Sequence, residues 1–240
     1  MNVLAIGNSF SQDTTRYLHA IARADGEKLN VANLYIGGCS LERHFRNMMT
    51  EAAEYELQFN GECTGFKVSL FEALTNRAWD IITVQQVSHQ SFNKDSYFPY
   101  ITELIDYVKS LVPKAKIYLH QTWGYEDGSA RLATTPYATF GDMASDVIMT
   151  NAEVADEITA DRIIPSGEML LKLHEAGIAK IHRDTFHASL GIGRYALALI
   201  WYRALTGKSV LENTFADLDE EASDEEMKLA RDCAESFAFE

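Results

Sequence analysis

The sequence predicts an α/β protein: a mostly parallel five-stranded sheet with helices on both faces. Two observations carry this. Short apolar, β-branched runs alternate with longer amphipathic segments along the 240 residues. Those short runs are continuously apolar, as strands buried on both faces are. Val3-Leu4-Ala5-Ile6 is the first strand and ends at Gly7. Asp13 to Ala24 sets Tyr17, Leu18, Ile21 and Ala22 at helical spacing and closes at Gly26. Leu29 to Ile36 is the second strand, ended by Gly37-Gly38. Cys39 to Trp79 is the least regular stretch, long enough for a helical excursion over the sheet rim. Ile81 to Val84 is the third strand, and Ile101 to Leu111 a helix stopped near Pro113. Ile117-Tyr118-Leu119 is the fourth strand, Tyr137 to Glu157 a long helix, and Ile163-Ile164 a short fifth strand. Leu190 to Leu205 is a last core helix with Gly207 placed as its C-terminal cap. Asp217 to Glu226 is an acidic run, read as solvated surface, and Ser223-x-x-Glu226 is a capping box opening a final helix. Four prolines supply no linker. Residues 1–240 are therefore read as one domain, with about 211–240 an acidic helical extension.

Composition narrows the function classes. Hydrophobic content of 47% with 23% charged residues is globular. With 21 Lys and Arg against 35 Asp and Glu, the net charge of −14 argues against a nucleic-acid or anionic-membrane partner, which needs a basic patch. It suits a neutral or cationic small molecule better than a polyanion. Cys39, Cys63 and Cys233 are odd in number, far apart and without a CxxC pair, so a disulfide framework and a cysteine-rich zinc site are poor readings. No basic n-region precedes an apolar core at the start, and the longest strongly apolar piece, Tyr195 to Tyr202, is far below a membrane span of ~20 residues. The expectation is a cytoplasmic protein.

In parallel sheets ligands bind beyond the carboxyl ends of the strands. Polar and catalytic residue types crowd these ends: Gly7-Asn8-Ser9-Phe10-Ser11, Gly37-Gly38-Cys39-Ser40, Gln85-Gln86-Val87-Ser88-His89 and His120-Gln121-Thr122-Trp123. After the fifth strand and a helical insertion comes Asp184-Thr185-Phe186-His187. A serine hydroxyl becomes a nucleophile when a base takes its proton and a third group orients that base. Ser9 lies in a Gly-flanked turn after a strand, and Asp184 with His187 forms a carboxylate–imidazole pair whose free nitrogen can face it.

These residues resemble a known family. Gly7-Asn8-Ser9-Phe10-Ser11 is similar to the nucleophile block of the SGNH (GDSL-like) hydrolases, and Asp184-x-x-His187 to their DxxH block. Ala188 to Gly191, Gly207-Lys208 and Gln121 to Glu126 extend the likeness toward the DUF4886 branch, over about residues 1–210. The resemblance implies a flavodoxin-like three-layer α/β/α fold and a serine esterase that needs no metal or organic cofactor. By it Ser9 is the nucleophile, His187 the general base and acid, and Asp184 the orienting carboxylate. The oxyanion hole is formed by the Ser9 and Gly38 amides and a third donor. Where the family carries Gly-x-Asn-Asp, this chain reads Gln85-Gln86-Val87-Ser88-His89. Gln85 is favoured as that donor, with Gln86 and His89 next. An O-acetyl group on a carbohydrate is the substrate implied, with lipid and thioester left open.

Alternatives differ in chemistry. The Gly-x-Ser-x-Gly elbow of α/β-hydrolases fails at Ser11, which stands where its last glycine belongs. His182, Asp184 and His187 form at most part of a zinc site. Gly7 and Gly37-Gly38 make neither GxGxxG nor a Walker loop. Trp123 and Tyr125, with His89, are candidates to line the substrate pocket, since aromatic rings pack on sugar faces. His19, His120 and His174 read as partly buried structural histidines. The departure in the third block leaves a non-catalytic ligand-binding module open. An acyltransferase on the same triad also fits, since water and an alcohol attack the same acyl-enzyme.

Overall fold

The computed structural model describes residues 1–239. Seven strands form one sheet: β1 (Asn2–Gly7), β2 (Asn30–Tyr35), β3 (Tyr55–Phe59), β4 (Glu62–Val68), β5 (Ile81–Val84), β6 (Lys116–His120) and β7 (Arg162–Ile164). Their order is β4-β3-β2-β1-β5-β6-β7. The five from β2 to β7 are parallel neighbours and are the five expected strands. The count of five is corrected by the antiparallel hairpin β3–β4, added at the β2 edge. Its turn is Asn60-Gly61, both with positive φ (52° and 87°), a favoured hairpin dipeptide. β4 is almost wholly solvated, so its residues carry no apolar pattern from which a strand could be read.

Alternation along β1 divides the core in two. Val3 and Ala5 face one layer; Leu4 and Ile6 face the other. On the first side lie α1 (Ser9–Thr15), α2 (Leu18–Ala24), α7 (Ser166–Glu175), α8 (Ile192–Thr206) and α9 (Asp224–Glu235). The second side holds α3 (Leu41–Thr50), α4 (Leu70–Thr75) and α5 (Tyr100–Leu111). The long α6 (Phe140–Glu157) contributes Met143 and Val147 to the first layer and Val154 to the second. Helix α8 is buried on nearly every side, which explains why its sequence is apolar all round rather than amphipathic. Gly207 ends it at φ 71°, a left-handed conformation that favours glycine.

The helix expected over Asp13–Ala24 begins earlier and breaks in two, α1 and α2. Asn8 caps α1: its Oδ1 accepts from the Phe10 amide, and Ser11 Oγ accepts from the Asn8 amide. Ser9 is thus the first residue of a helix rather than part of an open turn. The acidic C-terminal segment is not a loose appendage. Met227, Ala230 and Ala234 of α9 are buried, Arg231 donates to Tyr195 on α8, and Arg203 pairs with Glu235. No helix of the described residues is long and apolar enough to cross a membrane.

Candidate active site

The carboxyl ends of β2, β1 and β5 meet in a cleft of about 220 Å³. From beyond β1 it takes Ser9, from beyond β2 Gly37 and Gly38, and from beyond β5 Ser88 and His89. Arg131 and His187 close it from later in the chain. Ser9 Oγ lies 2.7 Å from His187 Nε2, and His187 Nδ1 lies 2.7 Å from Asp184 Oδ2. The Asp184 carboxylate can only accept when ionised, so Nδ1 carries the imidazole proton and Nε2 turns its lone pair to the serine hydroxyl. Burial raises the Asp184 pKa, but hydrogen bonds from the His187 ring and amide outweigh it, holding the carboxyl below its ordinary value. Asp184 is therefore ionised at neutral pH.

The loop that carries this pair is tied at its base. His182 and Ala188 form an antiparallel bridge, and the Arg183 amide donates to the His187 carbonyl at 3.0 Å. Thr185 at its tip has φ 75°, a left-handed conformation that costs a non-glycine residue on the order of 1 kcal/mol. A second tie runs to α1. Asp13, wholly buried one turn beyond Ser9, accepts from Arg183 Nη1 (2.9 and 3.0 Å), Arg194 Nε (2.9 Å) and the Ala188 amide (3.1 Å). One helix thus holds both the serine and, through Asp13, the histidine loop.

On the other side of the serine, Asn8 Nδ2 donates to the Cys39 carbonyl at 3.0 Å and so fixes the Gly37-Gly38 turn against β1. Gly38 has φ 63°, which aims its amide in a direction other residues rarely permit. Its N–H has no acceptor among the described residues, nor has that of Ser9 at the first turn of α1. Both amides belong to residues that line the cleft.

The two glutamines are corrected. Gln85 is buried and absent from the cleft lining; its Nε2 donates to Asn8 Oδ1 (2.9 Å) and its Oε1 accepts from His120 Nδ1 (2.7 Å). It braces Asn8 from behind. Gln86 Nε2 donates to the carbonyl and hydroxyl of Ser96, while its Oε1 accepts from the Leu41 and Val87 amides. Neither amide is free to reach an oxyanion. Of the three candidates only His89 lines the cleft, and burial, with the charge of Arg131, lowers its pKa. Its ring is neutral at pH 7 and retains one N–H donor.

Trp123 is also corrected. It is fully buried, stacks on Phe10 with centroids 4.0 Å apart, and donates to the Phe186 carbonyl, so it floors the site without touching the cleft. Tyr125 lines a neighbouring cavity of about 540 Å³, and its hydroxyl pairs with Ser88 at 2.8 Å. His120 is fully buried as a support for Gln85, whereas His174 is exposed on α7 rather than partly buried. His182 turns its Nε2 to the Gly124 carbonyl, away from the triad, and no cluster of three ligating side chains occurs among the described residues. Asn8, Asp13 and Arg131 are site residues that the sequence did not single out. Only Asn8, at a cap position between a strand and a helix, left a readable trace.

The sequence matches the model of a domain of unknown function, DUF4886, over residues 2–237. The chain belongs to the DUF4886 family. A DUF4886 crystal structure from Bacteroides uniformis is 34% identical, with a TM-score of 0.91 over 98% of this chain and 93% of that one. A candidate SGNH hydrolase from Slackia heliotrinireducens is 22% identical, with a TM-score of 0.62 over 85% of this chain and 98% of its own. A candidate GDSL-like lipase from Parabacteroides merdae is 16% identical, with a TM-score of 0.55 over 86% and 95%. These two share the fold: this DUF4886 chain has the α/β architecture of SGNH and GDSL-like proteins, with a seven-stranded sheet. No curated protein matches the sequence.

Proposed function

We propose that this protein is a serine esterase that hydrolyses short-chain esters, with an O-acetyl group on a carbohydrate as the leading substrate. The observation that carries the reading is the relay Ser9–His187–Asp184, 2.7 Å at each step, opening on a cleft of about 220 Å³. In this scheme Ser9 Oγ attacks the ester carbonyl carbon while His187 Nε2 takes its proton. The amides of Ser9 and Gly38 and the ring N–H of His89 stabilise the oxyanion. Collapse expels the alcohol, protonated by His187, and leaves an acyl-serine. Water, deprotonated by His187, then releases the acid and restores Ser9. A small cleft favours a short acyl group over a lipid chain. An acyltransferase would share every step except the last, with an added alcohol replacing water.

The test is turnover of 4-nitrophenyl acetate and butyrate by the wild type and by Ser9→Ala. Removing a triad nucleophile costs on the order of 10⁴–10⁶ in kcat, so turnover should vanish and acetate should be preferred. Turnover undiminished in Ser9→Ala refutes the scheme. Binding of an acetylated saccharide with no turnover by the wild type points to a ligand-binding module instead.

A further inference from the structure

The charge of the whole chain is not the charge of its cleft. Among the described residues no Asp or Glu lines the catalytic cleft and none lines the neighbouring cavity of about 540 Å³. The two spaces share His89 and Arg131, so Arg131 stands at their junction, the one Lys or Arg side chain on either lining among the described residues. Its guanidinium carbon lies 3.7 Å from the ring centroid of Phe186 and 5.5 Å from that of Tyr125. Such stacking holds a guanidinium by its face and leaves the in-plane N–H donors available. Six other arginines, Arg16, Arg43, Arg46, Arg183, Arg194 and Arg203, are satisfied by carboxylates. Arg131 has no carboxylate partner and no hydrogen-bond acceptor among the described residues, in a protein where carboxylates outnumber cations. Its field is felt in the cleft, where it adds to burial in keeping His89 neutral.

We propose that Arg131 selects esters whose alcohol portion carries a carboxylate, seated where the cleft meets the larger cavity. This rests on the esterase reading of Ser9. The small cleft takes the acyl group beside Ser9. The larger cavity takes the alcohol portion, and the fork of Arg131 meets its carboxylate at the boundary. A planar guanidinium and a planar carboxylate pair through two parallel hydrogen bonds, which gives orientation as well as attraction. The substrate class is therefore an O-acylated hydroxy acid or sugar acid rather than a neutral sugar.

The test compares 3- and 4-acetoxybenzoate with the matching acetoxybenzamides, which are close to isosteric and differ in charge. For the wild type, the ratio of kcat/KM, acid over amide, should reach about ten to one hundred for at least one isomer. In Arg131→Gln that ratio should fall at least tenfold, and Arg131→Lys, which keeps the charge without the fork, should lie between. A wild-type ratio near or below one, or a ratio that survives Arg131→Gln, overturns the proposal. Calorimetric titration of whichever acetoxybenzoate isomer the wild type prefers into Ser9→Ala gives a readout independent of turnover. Binding weakened at least tenfold by adding Arg131→Gln supports the role of Arg131, whereas absent or equal binding overturns it. Turnover that persists in Ser9→Ala defeats the esterase reading, and the titration still decides the carboxylate site.

Discussion

At the scale of single residues, the site depends on which way a few amides and rings are turned. His89 and Gln85 follow the same strand, yet Gln85 is drawn inward by two buried partners, Asn8 and His120. A buried amide left unpaired costs about 1–3 kcal/mol, so this pairing outweighs any pull toward the cleft. In the proposed mechanism His89 is then the side chain left to donate to an oxyanion. His89→Ala should lower kcat on an acetyl ester by about 10²–10³ with little change in KM; an unchanged kcat would move the third donor to the backbone after β5. Ser9, Asp184 and His187 were legible in the sequence because each sits in a short motif at a strand end or in a loop. The turning of Gln85 and Gln86 was not, because it is decided by residues 35 and 10 positions away. Arg131 left no pattern at all, since nothing in its own segment tells of the rings it stacks on.

Among the elements, α1 matters most, for it bears both the serine and the anchor of the histidine loop. Asp13 is fully buried and accepts from two arginines, so neutralising it strips the partly buried Arg183 of its carboxylate partner and leaves Arg194 with Asp219 alone. Asp13→Asn should lower stability by about 3 kcal/mol. Assayed well below its melting temperature, it should show reduced kcat with KM nearly unchanged, because the serine–histidine distance is disturbed while the cleft walls stand. A variant with lowered stability but full kcat would leave Asp13 a purely structural residue. The five parallel strands, the long α6 and α8 and the capping box of α9 were all readable, because continuous apolar runs and cap residues are local signals. The hairpin β3–β4 was passed over although Asn60-Gly61 marks its turn. One of its strands is solvated, and the hydrophobic pattern that exposes other strands is absent there.

For the molecule as a whole, three histidines buried at separate places link folding to pH. Burial lowers the pKa of His44 to about 3, of His120 to about 3 and of His182 to about 4. Unfolded, each returns to about 6.5. As pH falls below that value the unfolded chain binds protons that the folded one refuses, so stability is full above about pH 6.5 and is lost progressively toward pH 4. The urea midpoint should drop between pH 7 and pH 5, and the drop should be smaller in His44→Gln; equal drops would show that His44 is not linked to folding. A different consequence follows from the distance along the chain between the reacting groups. The hydrogen bond from Ser9 to His187 joins residues 178 apart in sequence. On the proposed esterase scheme, a nascent chain displays its serine early in synthesis, yet that serine has no base until the ribosome has delivered residue 187 and the loop has docked on α1. A fluorescent acylating probe should therefore label completed molecules and pass over stalled ones, making the hydroxyl of Ser9 a chemical timer of the protein's own biogenesis.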